Sequence, residues 1–455
     1  MSASPPTLAK PDWDNRALFR MIWPLLIEQI LAVTMGAADT VMVSSVGEFA
    51  VSGVNIVDNI NNLLIIAFAA LAMGGAVVVS QWIGRGEAAK AQSAAKQLVY
   101  AVLTVSLGVM VLALIFRRSL ISLIYGDLAI EVHNAASTYL LITALSFPAL
   151  AGYNAAAALF RAVGNSNLTM RIAILVNVLN IGGNLIFIFV LHLGVFGAAL
   201  ATLISRLAAA LVSLFLLIRL KDSPVSLAGI FKPQLVRQEI ADILSVGIPS
   251  GIENSMFQLG RLLTQRIFAT FGTAAIAGNA IASVVNSFSF MPGLAYGMTL
   301  LVVTGQCVGA GDYAAAQKNA AKILKISYAT MVTVSLTIFF FREPIVSVFQ
   351  LSPTARDYAL DFMVIHCLYM SIAHPPSFTL PNALRAAGDA RFVMVVAATS
   401  MWALRVSLAY FLCFTLEIGP IGVWLAMAAD CLSRGFIYQR RWRGGQWRYK
   451  RVISD

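Results

Sequence analysis

The fold class that this sequence predicts is all-α and integral to a membrane, with twelve transmembrane helices in two pseudo-symmetric six-helix bundles. Three observations predict it. The 455 residues are 59% hydrophobic and only 12% charged, against about 25% charged in an ordinary soluble domain, and the mean hydropathy is +0.80. Apolar runs such as 98–116, 170–191 and 323–341 have about the 20 residues that cross a bilayer. The second half of the chain also repeats the first.

Backbone groups in lipid must bond within their own segment, so these runs are expected to be helices. In the first half they lie near 17–45, 50–81, 97–116, 134–159, 168–191 and 196–220. In the second they lie near 240–271, 276–306, 320–341, 358–383, 391–415 and 420–440. The expected organisation is a tail over 1–16, a first lobe over 17–220, a linker over 221–239 with Pro224 and Pro233, a second lobe over 240–440 and a basic tail over 441–455. The first run is too long for a signal-peptide core and no clear cleavage site follows it, so it reads as the first span.

Basic residues collect on alternate loops: Lys10, Arg16 and Arg20, then Arg85, Lys90 and Lys96, then Arg161 and Arg171, then Arg219, Lys221, Lys232 and Arg237. The second half continues with Lys318, Lys322 and Lys325, then Arg385 and Arg391, then the tail from Arg434 to Arg451. The intervening loops hold only Arg117, Arg118, Arg342 and Arg356. The positive-inside rule then places both termini in the cytoplasm and the chain in the cell membrane. Topology, not nucleic-acid binding, accounts for the net charge of +11. Cys307, Cys367, Cys413 and Cys431 lie in apolar runs without CxxC spacing, which implies neither a disulfide framework nor a zinc site.

The repeat has an offset of 225 residues. Pro24 and Glu28 fall on Pro249 and Glu253; Gly47, Ala50 and Gly53 fall on Gly272, Ala275 and Gly278. Gln81, Gly84 and Gly86 fall on Gln306, Gly309 and Gly311, and Gly194 and Gly197 on Gly419 and Gly422. At Arg161-Ala-Val-Gly164 and Arg385-Ala-Ala-Gly388 the offset is 224. Each unit has an even number of spans, so both enter the membrane from the same side. A parallel repeat of this kind is typical of secondary transporters.

In Pro24-Leu-Leu-Ile-Glu28, Ala38-Asp39-Thr40, Gln81-Trp-Ile-Gly84-Arg-Gly86 and Arg161-Ala-Val-Gly164-Asn, with their second-half copies, the chain resembles the multidrug and toxic compound extrusion (MATE) family, in its bacterial NorM- and DinF-like branches. The likeness covers nearly the whole chain. It implies a V-shaped pair of lobes around a cavity open to each side in turn. It also implies export of cationic or amphipathic drugs in exchange for protons or sodium ions, with no other cofactor. The expected partners are the small-molecule cargo and the bilayer, and the protein is expected to act as a monomer.

A charge at mid-bilayer costs about 2.5–3.5 kcal/mol on insertion scales, so an acid there is a functional candidate by default. Asp39 on the first helix is the foremost, since a buried acid can load and release a proton. Asn177, Asn180 and Asn184 recur at three and four residues and share one helical face. Asn154 and Thr202 stand on the neighbouring helices. Asp39, Asn180, Asn184 and Thr202 resemble the family's first-lobe ion site. Some relatives carry an acid where Asn184 stands, so Asp39 is expected to be the sole charge there. Carboxylate, amide and hydroxyl oxygens suit sodium as well as a proton.

Glu253 matches an acid of the second-lobe cation site in the NorM branch, with His374 near the position of that site's second acid. Arg261 or Arg405 is an alternative partner for Glu253. Pro24 inside a helix removes a hydrogen bond and permits a bend, which makes it the candidate hinge. Glu28, Asp58, Met256, Phe257, Phe288 and Tyr296 are the candidate cavity residues, since methionine and aromatic side chains suit promiscuous binding. The sequence holds no HExxH, GxSxG or Walker loop, so an enzyme is not expected. A flippase of a lipid-linked precursor is the alternative function.

Overall fold

Residues 13–126, 128–220, 223–232 and 234–453 are described in the computed structural model; Lys10, Lys221 and Pro233 lie outside them. The described chain forms twelve helical rods and no strand. In the first half these are α1 (Asn15–Ser44), α2 (Glu48–Arg85), α3 (Ala88–Tyr125), α4 (Ile130–Leu145 and Phe147–Ala162, bent by 48°), α5 (Ser166–Val190) and α6 (Gly194–Arg219). In the second half they are α7 (Arg237–Thr270), α8 (Thr273–Gly309), α9 (Tyr313–Ser347), α10 (Pro353–His374, a π-helical stretch Pro375–Thr379 and Leu380–Ala386), α11 (Ala390–Thr415) and α12 (Ile421–Arg443). Among the described residues nine rods are long and apolar enough to cross a membrane, and α4, taken as one broken span, makes ten. The other two, α7 and α10, have polar residues spread along them that leave no stretch of 18 apolar enough.

Several rods outrun the apolar stretches that announce them. α2 and α3 each have 38 residues, about 57 Å at 1.5 Å per residue, against a hydrocarbon layer of about 30 Å. The apolar run marks only the part that lipid selects. Beyond it, capping and packing continue the helix. Asp14 caps α1 by accepting from the Ala17 N–H at 2.7 Å, and Asp312 caps α9 by accepting from Ala315 at 2.8 Å.

The chain divides into two compact units between Ile248 and Pro249, inside α7. The start of α7 belongs to the first unit because it packs on α2. A Cβ on Gly74 would overlap the Ile243 carbonyl oxygen and stand 2.9 Å from the Gly247 nitrogen. The segment before α7 is docked on α3. Gln92, Gln97 and Tyr100 donate to the carbonyls of Ser223, Gln234 and Ile230 at 2.9, 2.7 and 2.5 Å.

The repeat is visible in the backbone. Gly86 and Gly311, which end α2 and α8, both take left-handed angles (φ +82° and +73°), a conformation only glycine enters freely. The two non-glycine residues at positive φ, His192 and Glu417, are also 225 apart. Gly53 packs α2 against Ala135 and Ala136 of α4, and its mate Gly278 packs α8 against Ala355 and Ala359 of α10. Small residues at such crossings let backbones approach.

In the first unit a core of Val54, Val57, Tyr139 and Leu140 fills the space between α2 and α4. In the second, Phe362 stacks on Tyr358 and Trp424, both at 5.8 Å. All four cysteines are free, buried and in the second unit. The segment after α12 folds back onto this unit. Trp447 stacks on Trp442 at 4.2 Å and is fully buried, and Val452 and Ile453 are buried too.

Candidate functional site

Asp39 sits ten residues past Gln29 on α1, half-buried, where α1 lies along α5. Its Oδ1 accepts from Asn184 Nδ2 at 2.5 Å. One turn earlier on α5, Asn180 Nδ2 lies 3.5 Å from the Thr202 hydroxyl of α6. Asn177 turns its amide N–H to its own helix, onto the Ala173 carbonyl at 2.9 Å. All three asparagines are buried, and none of their Oδ1 atoms accepts a hydrogen bond. The predicted face is thus real, and Asp39 and Thr202 adjoin it. Asn154 on α4 is half-buried, and its Nδ2 makes no bond to the protein.

Asp39 is not the sole charge there. Asp58 of α2 and Arg206 of α6 lie within electrostatic range of it and of each other. Arg206 Nη1 donates to Ser146 Oγ at 2.9 Å, at the bend of α4. Two carboxylates and one guanidinium leave the cluster one negative charge in excess. Arg206 went unnoticed in the sequence, although an arginine in the middle of the apolar run 194–219 is itself a signal.

Glu28 and Glu253 are engaged in ion pairs, and the pairs match across the repeat. Arg161 Nη1 meets Glu28 Oε1 at 3.1 Å, and the Thr169 hydroxyl donates to Glu28 Oε2 at 2.9 Å. Arg385 Nη2 donates to both oxygens of Glu253 at 2.7 Å, while its Nη1 donates to Asn382 at 3.0 Å. The partner of Glu253 is therefore neither Arg261 nor Arg405. Spacing along α7 points to Arg261, but the partner approaches from α10. Arg161 and Arg385 are correspondingly not free loop charges.

His374 is fully buried against Gly293, with Phe290 and Phe378 at 4.9 and 5.2 Å, and neither ring nitrogen has a partner. Tyr296 is also buried, its hydroxyl bonded to Thr330 at 2.7 Å. Met256 is half-buried and Phe288 exposed. Pro24 is buried in the unbroken α1. Arg434, counted with the tail, lies inside α12. It and Arg405 both pair with Asp430, at 3.0 and 2.8 Å, and all three are buried. Sequence spacing alone does not bring these three residues together.

Twelve rods in two repeated units, with ionisable and amide groups held inside them, define a polytopic membrane transporter. The MatE family profile matches residues 24–186 and again 249–411, two segments related by the same offset of 225. The chain belongs to the MatE family. It is 28% identical over 445 residues to a protein of Bacillus subtilis described as an uncharacterized transporter, YisQ, covering 97% of this chain and 96% of that one. It is 27% identical over 452 residues to a probable multidrug resistance protein NorM of Thermotoga maritima, covering 97% and 94%. The fold matches a MATE crystal structure in the straight conformation with a TM-score of 0.89 at 19% identity, over 98% of this chain and 99% of that one. A transporter of the MOP superfamily from Pyrococcus furiosus, described as having a binding pocket of reverse polarity, also matches at 0.89, with 20% identity over 98% of each chain.

Proposed function

We propose that this protein is a secondary antiporter that exports small cationic or amphipathic molecules in exchange for protons or sodium ions, and that Asp39 is the coupling acid. The observation that carries this reading is Asp39 bonded to Asn184 beside three buried amide oxygens that accept nothing from the protein. Such oxygens suit a cation or a protonated group. The single negative charge left by Asp39, Asp58 and Arg206 is what one proton or one sodium ion neutralises. The names of the NorM relatives support multidrug cargo. The membrane is the cell membrane, with both termini cytoplasmic, and the monomer is the working unit.

Exchange requires that ion and cargo favour different conformations. An ion entering from outside occupies Asp39 and favours cargo release; return to the inward-open state lets the ion leave to the cytoplasm. The test is ethidium transport by the reconstituted protein under a pH gradient and then a sodium gradient. Asp39→Asn keeps the size and the Asn184 contact but removes the titratable charge, and it should abolish the driven component. Unchanged transport in Asp39→Asn would overturn the assignment. No transport under either gradient in the wild type would favour a flippase of a lipid-linked precursor.

A further inference from the structure

The second unit contains a cavity of about 300 Å³ lined from α7, α8, α11 and α12, and its polarity is opposite to that of the first-unit cluster. Arg261 and Arg405 stand in its wall together with Gln265 and Asn279, and no carboxylate lines it. The repeat makes the contrast specific. At the offset of 225, Asp39 of the first unit corresponds to Thr264 and Asp58 to Ser283, both of which line this cavity. Where α5 presents asparagines, its counterpart α11 presents Arg405.

The arginines are preorganised. Arg405 Nε and Nη2 lie 2.8 Å from Asp430 Oδ2, which leaves Nη1 as the nitrogen not spent on that carboxylate. The same guanidinium lies over the Phe257 ring at 4.7 Å, and Arg434 covers that ring at 5.3 Å and Phe378 at 5.0 Å. Asp430 serves both arginines, so the triad keeps one positive charge in excess. The Arg261 guanidinium, which has no partner among the described residues, adds a second. The Asn279 carbonyl oxygen accepts from Trp424 Nε1 at 3.2 Å, so its amide N–H groups are left for another acceptor. Phe257, Phe268, Phe290 and Trp424 supply apolar walls.

We infer that this cavity is an anion subsite. It takes the carboxylate, sulfonate or phosphate group of an amphipathic molecule whose aromatic or apolar body rests on Phe257, Phe290 and Trp424. Positive charge held within the span of a membrane protein is costly unless something compensates it, and arginine forks match planar oxyanions. For cargo identity this deepens the proposed antiport: the transported class includes zwitterionic and anionic amphiphiles, not cations alone. Binding at the cavity does not depend on whether Asp39 couples transport.

The test is equilibrium binding to the full-length protein in phosphatidylcholine nanodiscs, read by tryptophan quenching. The probes are 8-anilino-1-naphthalenesulfonate and its uncharged analogue N-phenyl-1-naphthylamine, which differ only in the sulfonate. Wild type should prefer the sulfonate. Arg261→Gln should weaken the sulfonate roughly tenfold, the size of one charge-assisted hydrogen bond, and leave the neutral probe unmoved. Arg261→Glu should abolish the preference. Because Arg261 is exposed, neither change threatens folding. Replacing part of the lipid with phosphatidylglycerol separates two sources of the anion. Lost sulfonate binding marks a lipid headgroup as the occupant, and unchanged binding marks a free amphiphile. Equal affinity of wild type for the two probes, or an unaltered preference in both Arg261 variants, would overturn the inference. Asp39→Asn should bind both probes as wild type does, so a failure here is separable from a failure of the coupling acid.

Discussion

Replacing Glu253 by Gln should destabilise the second unit by about 3 kcal/mol. The side chains of Glu253 and Arg385 are each 11% exposed, and one guanidinium nitrogen donates to both carboxylate oxygens at 2.7 Å. Breaking a fully buried pair by removing one member costs about 3–5 kcal/mol, because the survivor is left charged without its partner. Asn382 would still accept from Arg385, which holds the cost to the lower end. Arg385→Gln should cost a similar amount, and the double variant clearly less than the sum, since neither charge is then stranded. The four buried thiols provide the assay. A thiol-reactive fluorophore reports their exposure on heating in detergent, and all four lie in the second unit, so the transition reads the unit that holds the pair. The reasoning fails if Glu253→Gln leaves that transition in place yet removes sodium-driven transport. Glu253 would then be an ion ligand and not one half of a clasp.

Three further glycine substitutions probe packing with the same readout or with folded yield and stability. Gly293→Ala should lower the thiol-exposure transition by an amount equivalent to about 1–3 kcal/mol. The new methyl group would overlap the His374 ring, which Phe290 and Phe378 hold in place, and His374→Ala in the same chain should restore the loss. Gly74→Ala should reduce folded yield, because the methyl group meets the α7 backbone, which cannot yield as a side chain tip does. Gly108→Ala meets nothing within 4 Å inside α3 and should instead stabilise by about 0.5–1 kcal/mol. Equal yields for the two variants would refute the close α2–α7 contact.

The sequence showed most of the architecture because lipid writes its demands into composition, and because a repeat keeps its glycines where the backbone needs them. Gly86 and Gly311 could be paired by eye from the offset alone, and both end their helices at positive φ. The asparagine face of α5 was equally plain, since a spacing of three and four on one helix needs no tertiary information. Partnerships between distant helices were hidden. Glu28, Arg161, Glu253 and Arg385 were each noticed as members of the repeat, yet their union depends on how α1 meets α4 and how α7 meets α10. In sequence Arg434 looks like one more basic residue of the tail, because position along the chain does not show that α12 carries it into a buried triad with Asp430. Arg206 is a related case: a lone arginine in an apolar run tells nothing of the two acids it faces.

The matched Glu–Arg clasps also separate what the two halves share from what each holds alone. The pair occurs in both halves, with Glu28 and Glu253 at an offset of 225 and Arg161 and Arg385 at 224. Asp39 and Asp58 have no acidic counterpart in the second copy, and Arg405 and Asp430 have no charged counterpart in the first. The clasp is therefore common to both halves, while the acidic cluster and the arginine-lined cavity each belong to one. One scaffold, used twice in a single chain, thus holds acids in the interior of one copy and arginines in that of the other.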